Sequence, residues 1–216
     1  VSASRLKSDN DFKFLNDRGT TWNPRDDRVE KRHNAQFTQD NFLGKLGYDI
    51  SSDTRLDFMD QWFAKDQGLP SWNNSRRTKT SLETQRNVSS LKLTANNLGP
   101  YRFNTSSFFD YSHQVEEYDD SKDQVGLGKQ HNRYTTDRFG GHSVLDWHTS
   151  WNTVTFMLDA QRETYNPEDL LKPRNRLKES SRNSMSVGLQ DNLYLSQDRL
   201  IVTPAVRYTL TQDERA

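Results

Sequence analysis

Apolar residues recur at every second position along most of this chain, and they do so in eight separate stretches. From Phe42 the even positions read Phe42, Gly44, Leu46, Tyr48 and Ile50, with Leu43, Lys45, Gly47 and Asp49 between them. From Leu56 they read Leu56, Phe58, Asp60 and Trp62. Leu91, Leu93 and Ala95 follow, then Tyr101, Phe103, Thr105, Ser107, Phe109 and Tyr111. The next sets are Phe139, Gly141, Ser143, Leu145 and Trp147, and Val154, Phe156, Leu158 and Ala160. The last two run Met185, Val187, Leu189, Asp191, Leu193, Leu195 and Leu200, Val202, Pro204, Val206, Tyr208, Leu210. Successive side chains of a strand point to opposite faces, so each set marks one face of a β-sheet. A ninth, weaker strand is expected around Leu6 to Leu15.

The connections alternate in length. Short ones fall at Ser51-Ser52-Asp53, at Asn96-Asn97-Leu98-Gly99-Pro100, at residues 149–152 and at Ser196-Gln197-Asp198. They are built from Ser, Asn, Asp and Gly, which tolerate tight-turn geometry. Long, heavily charged connections are expected at 16–32, 65–80, 113–136 and 166–181. Short turns at one end and long loops at the other is the plan of an outer-membrane barrel. A soluble β-sandwich has no reason to alternate them so strictly.

Tyr48, Trp62, Tyr101, Phe109, Tyr111, Trp147, Trp151, Tyr194 and Tyr208 fall near the expected strand ends. Tyr and Trp favour the headgroup region of a bilayer, although aromatics are also good strand formers in general. The face opposite the apolar one carries Lys45, Asp49, Arg55, Asp57, Gln61, Lys92, Arg102, Asn104, Asp110, His142, Asp146, His148, Asp159, Gln161 and Arg207. Such a face lines a wet lumen or meets a polar plug in a barrel, and is the solvated outside of a soluble sandwich.

Composition narrows the choice. Hydrophobic residues make up 31% of the 216 residues and the mean hydropathy is -1.06, against about 45–50% apolar residues in ordinary globular chains. A two-layer core would be thin, whereas a sheet needing apolar residues on one face only is well supplied. Disorder goes with few aromatics and a large net charge, but aromatics are 11% here and thirty basic residues balance thirty acidic ones. That balance also removes the basic excess that would neutralise nucleic-acid phosphates. Without cysteine there is no disulfide framework and no thiolate-bound zinc. No run approaches the ~18 apolar residues of a transmembrane helix, which does not bear on strands. No signal peptide is visible and the first residue is Val1, so a mature segment or a fragment is expected.

The stretch Ser8-Asp9-Asn10-Asp11-Phe12-Lys13-Phe14-Leu15-Asn16-Asp17-Arg18-Gly19-Thr20, followed by Asn23-Pro24-Arg25-Asp26-Asp27 and Arg32-His33-Asn34-Ala35, resembles a passage common in TonB-dependent receptor barrels. Lys45-Leu46-Gly47-Tyr48-Asp49, Asp53-Thr54-Arg55-Leu56-Asp57-Phe58 and Asp66-Gln67-Gly68-Leu69-Pro70-Ser71 are similar too, the Gly-Leu-Pro element being a common entry into an extracellular loop in that family. The resemblance covers roughly residues 8–72; beyond it the likeness is architectural. It implies a 22-stranded barrel of the bacterial outer membrane, occluded by an N-terminal plug and importing a scarce ligand such as an iron-siderophore or cobalamin. Energy would come from the inner-membrane TonB complex through a plug motif. Neither plug nor motif occurs here, the chain ends at Asp213-Glu214-Arg215-Ala216 rather than on an aromatic, and nine is an odd strand count for a bacterial barrel. An internal wall segment is therefore expected, with residues 1–216 forming part of one all-β, antiparallel, up-and-down transmembrane barrel domain. Its partners would be the plug and remaining strands, the TonB complex through that plug, outer-membrane lipid and lipopolysaccharide, and a siderophore-like ligand, with no nucleic acid.

Four constellations invite chemistry. His142, Asp146 and His148 share a face, but residues six apart on a strand are ~20 Å apart and cannot chelate one ion together. Glu116-Glu117-Tyr118-Asp119-Asp120-Ser121-Lys122-Asp123 is rich in oxygen donors, and some receptors of the family bind calcium in such loops. It lacks the glycine and the terminal glutamate of an EF-hand, so a solvated charged loop is expected. Arg76-Arg77-Thr78-Lys79 and Lys172-Pro173-Arg174-Asn175-Arg176 could meet lipopolysaccharide phosphates or an anionic siderophore, or simply solvate their loops. Trp22 and Trp72 are loop aromatics able to stack on a ligand. No nucleophile elbow, phosphate loop or triad spacing occurs, so no catalytic, cofactor-binding or metal-binding residue is assigned, no cofactor is expected, and ligand-contact residues stay unassigned. An active-transport receptor is the first expectation. Another outer-membrane barrel (a porin or a barrel enzyme) and a soluble antiparallel binding module are the alternatives.

Overall fold

The computed structural model describes residues 1–18, 22–174, 177–197 and 199–215. Twelve strands are formed among them: β1 Ser2–Ser8, β2 Lys13–Asn16, β3 Arg28–Lys31, β4 Phe37–Asp49, β5 Thr54–Gly68, β6 Ser81–Leu98, β7 Phe103–Asp120, β8 Gln130–His148, β9 Asn152–Asp169, β10 Ser180–Leu195, β11 Leu200–Val202 and β12 Ala205–Arg215. No helix occurs among the described residues, so none is long and apolar enough to cross a membrane; strands are a separate matter.

The architecture is all-β and antiparallel. One sheet runs β1-β4-β5-β6-β7-β8-β9-β10-β11, with β12 also on β10, and β2 and β3 form a separate hairpin. β11 and β12 are one strand in two parts, because Leu193↔Val202 and Gln190↔Ala205 hold the same register. Pro204, which has no N–H to donate, interrupts it, and its carbonyl still accepts Asp191 N–H at 3.0 Å. The sheet is therefore nine strands wide, as the alternation predicts. It does not close into a barrel: β1 and β11/β12 are both edges among the described residues.

The expected weak strand at Leu6 to Leu15 divides in two. Ser2–Ser8 pairs with β4, and Lys13–Asn16 turns away to pair with β3 inside the first long connection. Tyr101 and Arg102 lie in the β6/β7 turn rather than on the strand, Arg102 with φ 53°. Asn97 (φ 56°), at the register shift that ends β6, and Gly99 (φ 66°), in the turn itself, take left-handed backbone, which Asn and Gly adopt at least cost.

The long connections are shorter than their charge suggests. Strands run on to Gly68, Asp120 and Asp169 and resume at Ser81, Gln130 and Ser180, so most of 113–136 is strand. Alternation of apolar and polar residues vanishes there because both faces are polar, while the backbone ladder continues unchanged. All four long connections, including 9–36 with its hairpin, lie at one end of the sheet, and the four short turns at the other.

Register places the predicted apolar sets on one face. The row Leu46–Phe58–Leu91–Phe109–Gly141–Ala160–Met185–Leu210 follows successive cross-strand partners from β4 to β12. Its neighbour reads Tyr48–Leu56–Leu93–Ser107–Ser143–Leu158–Val187–Tyr208. Among the described residues nothing covers this belt. Leu46 is 70% and Met185 51% exposed, and Ala95 is the one fully buried hydrophobic residue among those described. The accessible surface is 15237 Å², whereas a compact monomer of this mass would expose about 10,300 Å².

The belt crosses the strands obliquely. The Tyr48 row reaches Val187 on β10, but there the apolar set continues to Leu193, six residues or ~20 Å further along. Six strand spacings across amount to ~29 Å, so the belt's edge slopes by about 35° from the hydrogen-bonding direction.

Candidate functional site

The face opposite the belt carries the predicted charges, and the structure links several of them. His142 on β8 shares a hydrogen bond with Asp159 on β9, Nδ1 to Oδ1 at 2.5 Å. The second oxygen of Asp159 accepts Ser186 Oγ at 3.1 Å and Arg207 Nη2 at 3.2 Å, and Arg207 also donates to Ser186 Oγ at 2.8 Å. Four strands thus meet at one carboxylate. Arg138 pairs with Asp110 at 3.0 Å beside this group, where a Cβ on Gly140 would stand 3.3 Å from Asp110 Oδ1. A hollow of about 340 Å³ lies over these residues. Lys92 sits over the Phe108 ring at 5.1 Å, and Phe108 in turn lies 6.5 Å from His142. Nearer the short turns, Arg55 joins Asp57 and Asp49, each at 2.9 Å.

His142, Asp146 and His148 do not converge. Asp146 accepts Thr155 Oγ1 at 2.6 Å and His148 contacts Thr153 Oγ1 at 3.0 Å, so each is spent on its own cross-strand neighbour. Among the described residues no group of three or more His, Asp or Glu is arranged to hold a metal ion.

The acidic stretch 116–123 is dispersed in the same way. Glu117 faces the belt side and binds His131 at 2.7 Å and Arg133 at 2.8 Å. Asp120 ends β7 and turns into the connection, where its carboxylate accepts N–H from Gln124 at 2.7 Å, Val125 at 3.0 Å and Gly126 at 2.7 Å, and the Thr80 hydroxyl at 2.8 Å. It lies nine residues, about 30 Å, beyond Tyr111 and so well outside the belt. Burial pushes its pKa up, but these four donors hold it below the usual carboxylate range.

Similar bonds knit three long connections into one layer. Asn74 donates to Glu30 at 3.1 Å and to the Lys31 carbonyl at 2.8 Å, and its oxygen accepts His33 N–H at 2.9 Å. Asn34 donates to the carbonyls of Leu69 and Thr80 at 2.8 and 2.7 Å. Gln124 accepts Lys79 N–H at 2.7 Å and donates to the Arg77 carbonyl at 2.9 Å. Donation from Asn74, and from Asn16, holds the Glu30 carboxyl below its ordinary value. These Asn and Gln residues carried no signal in the sequence, since loops are rich in such residues whether or not they cross-link.

The basic stretch 76–79 contributes mainly through its backbone, although Arg76 Nε donates to His33 Nε2 at 3.3 Å. In the second basic stretch Lys172 N–H bonds Asp169 Oδ1 at 3.1 Å, while Asn175 and Arg176 lie outside the described residues, as do Gly19, Thr20, Asp198 and Ala216. Trp22 and Trp72 are 80% and 74% exposed in the loop layer.

The aromatics mark the edges of the belt more than the ends of strands. Tyr101, Phe103 and Trp147 form a chain of tilted rings with centroids 6.1 Å apart on the short-turn side, and Trp62, Tyr111 and Phe139 lie toward the loop side. Tyr194 departs from the pattern: it faces the polar side, where its hydroxyl meets Thr153 at 3.2 Å. Comparison with protein-family models, with curated proteins and with solved structures finds no match to this chain.

Proposed function

We propose that this sheet is part of the wall of an outer-membrane transport barrel of the TonB-dependent receptor type, taking up a scarce ligand such as an iron-siderophore or cobalamin. The observation that carries the membrane part of this reading is the exposed apolar belt, continuous over eight strands from β4 to β12 and oblique to them. Barrel strands tilt by about 35–45° from the barrel axis, so a belt parallel to the membrane must slope across the ladder by a similar angle. From Phe139 to Trp147 the belt covers nine residues of β8, within the ~9–11 residues with which a tilted strand crosses a bilayer. The long connections then form the extracellular side, the short turns the periplasmic side, and the polar face the lumen.

The receptor part rests on the resemblance of residues 8–72 and on the lumen chemistry. The Asp159 cluster and the Arg55 ion pairs present fixed charges to a polar plug, and the layer of cross-linked loops offers Trp22 and Trp72 to ligand. Two free edges agree with a wall that further strands complete, since an exposed edge is a template for pairing. A soluble binding module, the alternative from another class, would need the belt covered. Two measurements test the reading. The protein should float with phospholipid vesicles after refolding, and a strain lacking the gene should lose growth on one member of a panel of siderophores, cobalamin and haem. Recovery in the soluble fraction would remove the membrane reading; flotation with unimpaired growth on the whole panel would remove only the transport one.

A further inference from the structure

On the belt side, the row through Gly141 and Ala160 is low between taller neighbours. Phe109 and Phe139 stand on one side, Met185 and Leu210 on the other, and the hollow they enclose measures about 460 Å³. Its loop-side end is closed by Arg162, Asn183 and Gln212, which are consecutive cross-strand partners on β9, β10 and β12. Arg162 is exposed and makes no ion pair among the described residues, although its row lies at the margin of an apolar surface. The carboxylates one step beyond this row on the flanking strands are Asp137, engaged by His113 at 2.7 Å and by the Tyr111 hydroxyl at 2.8 Å, and Glu214, which accepts the Gln212 amide at 3.2 Å.

We propose that this hollow is a specific site for a phosphorylated, multiply acylated lipid of the outer leaflet, one acyl chain lying over Gly141 and Ala160 and a phosphate on Arg162. The inference rests on the membrane reading above, which sets the loop side in the outer leaflet. Two features select this occupant. An acyl chain needs an apolar trough open to the bilayer, which the small residues provide. A phosphate needs a cation at headgroup depth, and an arginine without an ion-pair partner among the described residues supplies charge and a planar fork of donors. The Asn183 amide adds a neutral donor beside it.

The test uses the full-length protein in detergent micelles, titrated with diphosphorylated lipid A and with lipid A stripped of phosphate, bound lipid being counted by native mass spectrometry. Arg162→Gln should weaken lipid A binding about tenfold, which is ~1.4 kcal/mol, and should leave the stripped lipid unaffected. Ala160→Leu, which fills the trough without touching the cation, should weaken both lipids alike. Equal binding of the two lipids by the unaltered protein, or an Arg162→Gln protein that binds lipid A normally, overturns the site. Vesicle flotation separates the causes: a protein that floats but shows no preference loses this site alone, and one that does not float loses the membrane reading with it.

Discussion

Thr80 donates its hydroxyl to Asp120 at 2.8 Å, joining two long connections that are forty residues apart in sequence. Both side chains are almost wholly buried, each 1% exposed, in a protein whose apolar residues are mostly uncovered. The best-packed interior of this chain is thus polar and lies in its loops. An acceptor there holds several donors at once, and removing it strands them all.

Asp120→Ala should therefore release the connection 121–129. Three backbone N–H groups lose their acceptor, and leaving even one unsatisfied costs about 1–3 kcal/mol. Amide exchange at Gln124, Val125 and Gly126 should rise by roughly 30-fold, the equivalent of ~2 kcal/mol, while amides in the β8/β9 ladder keep their protection. Unchanged exchange at all three would show that water replaces the carboxylate without loss.

Acid should loosen the same layer. Asp120 and Glu30 both have pKa values held below those of free carboxyls. A lowered folded value means that the stabilisation is complete above the unfolded pKa, about 3.9 for Asp and 4.3 for Glu, and is lost as pH falls through the folded value. Fluorescence of Trp72 in the refolded protein should be flat from neutral pH to about 5 and change below about 4. Asp120→Asn should flatten part of that change.

Substitutions along one strand should alternate in effect. Leu91 faces the belt and Lys92 the opposite side, against Phe108. Leu91→Arg places a charge in the apolar band and should cost about 2–4 kcal/mol in denaturant unfolding from vesicles. Lys92→Gln should cost under about 1 kcal/mol, since it loses only an exposed cation–π contact. Equal costs at both positions would contradict the assignment of faces.

Ser107 and Ser143 share a hydroxyl–hydroxyl bond of 2.8 Å within the belt. Each single Ser→Ala change should cost roughly 1 kcal/mol by leaving the partner hydroxyl alone in an apolar setting. The double change should cost less than the sum of the two, because no lone hydroxyl remains. A double-mutant cycle by urea titration in vesicles reads the coupling directly.

Without detergent the 216-residue chain should not form a monodisperse monomer, given its open edges and uncovered belt. Light scattering decides this: a sharp monomer peak with cooperative melting would refute both the belt's exposure and the membrane reading.

What the sequence determines by itself is the period. Phe42 to Ile50, Phe139 to Trp147 and Met185 to Leu195 alternate because one face alone must be apolar, and a period of two is readable from a single strand. Strand count, antiparallel order and the placing of short turns follow from the same local signal. Tertiary structure decided the rest. The strands run past their apolar positions, as at residues 112–120, because backbone pairing needs no particular side chain once a neighbour is in register. The slope of the belt exists only between strands, through partners such as Trp62 and Asn87, where an apolar residue stands directly across from a polar one. Convergence on Asp159 and the knitting of loops by Asn34, Asn74 and Asp120 depend on which segments come together. A side chain's type shows what bond it can make, and only the fold brings it a partner.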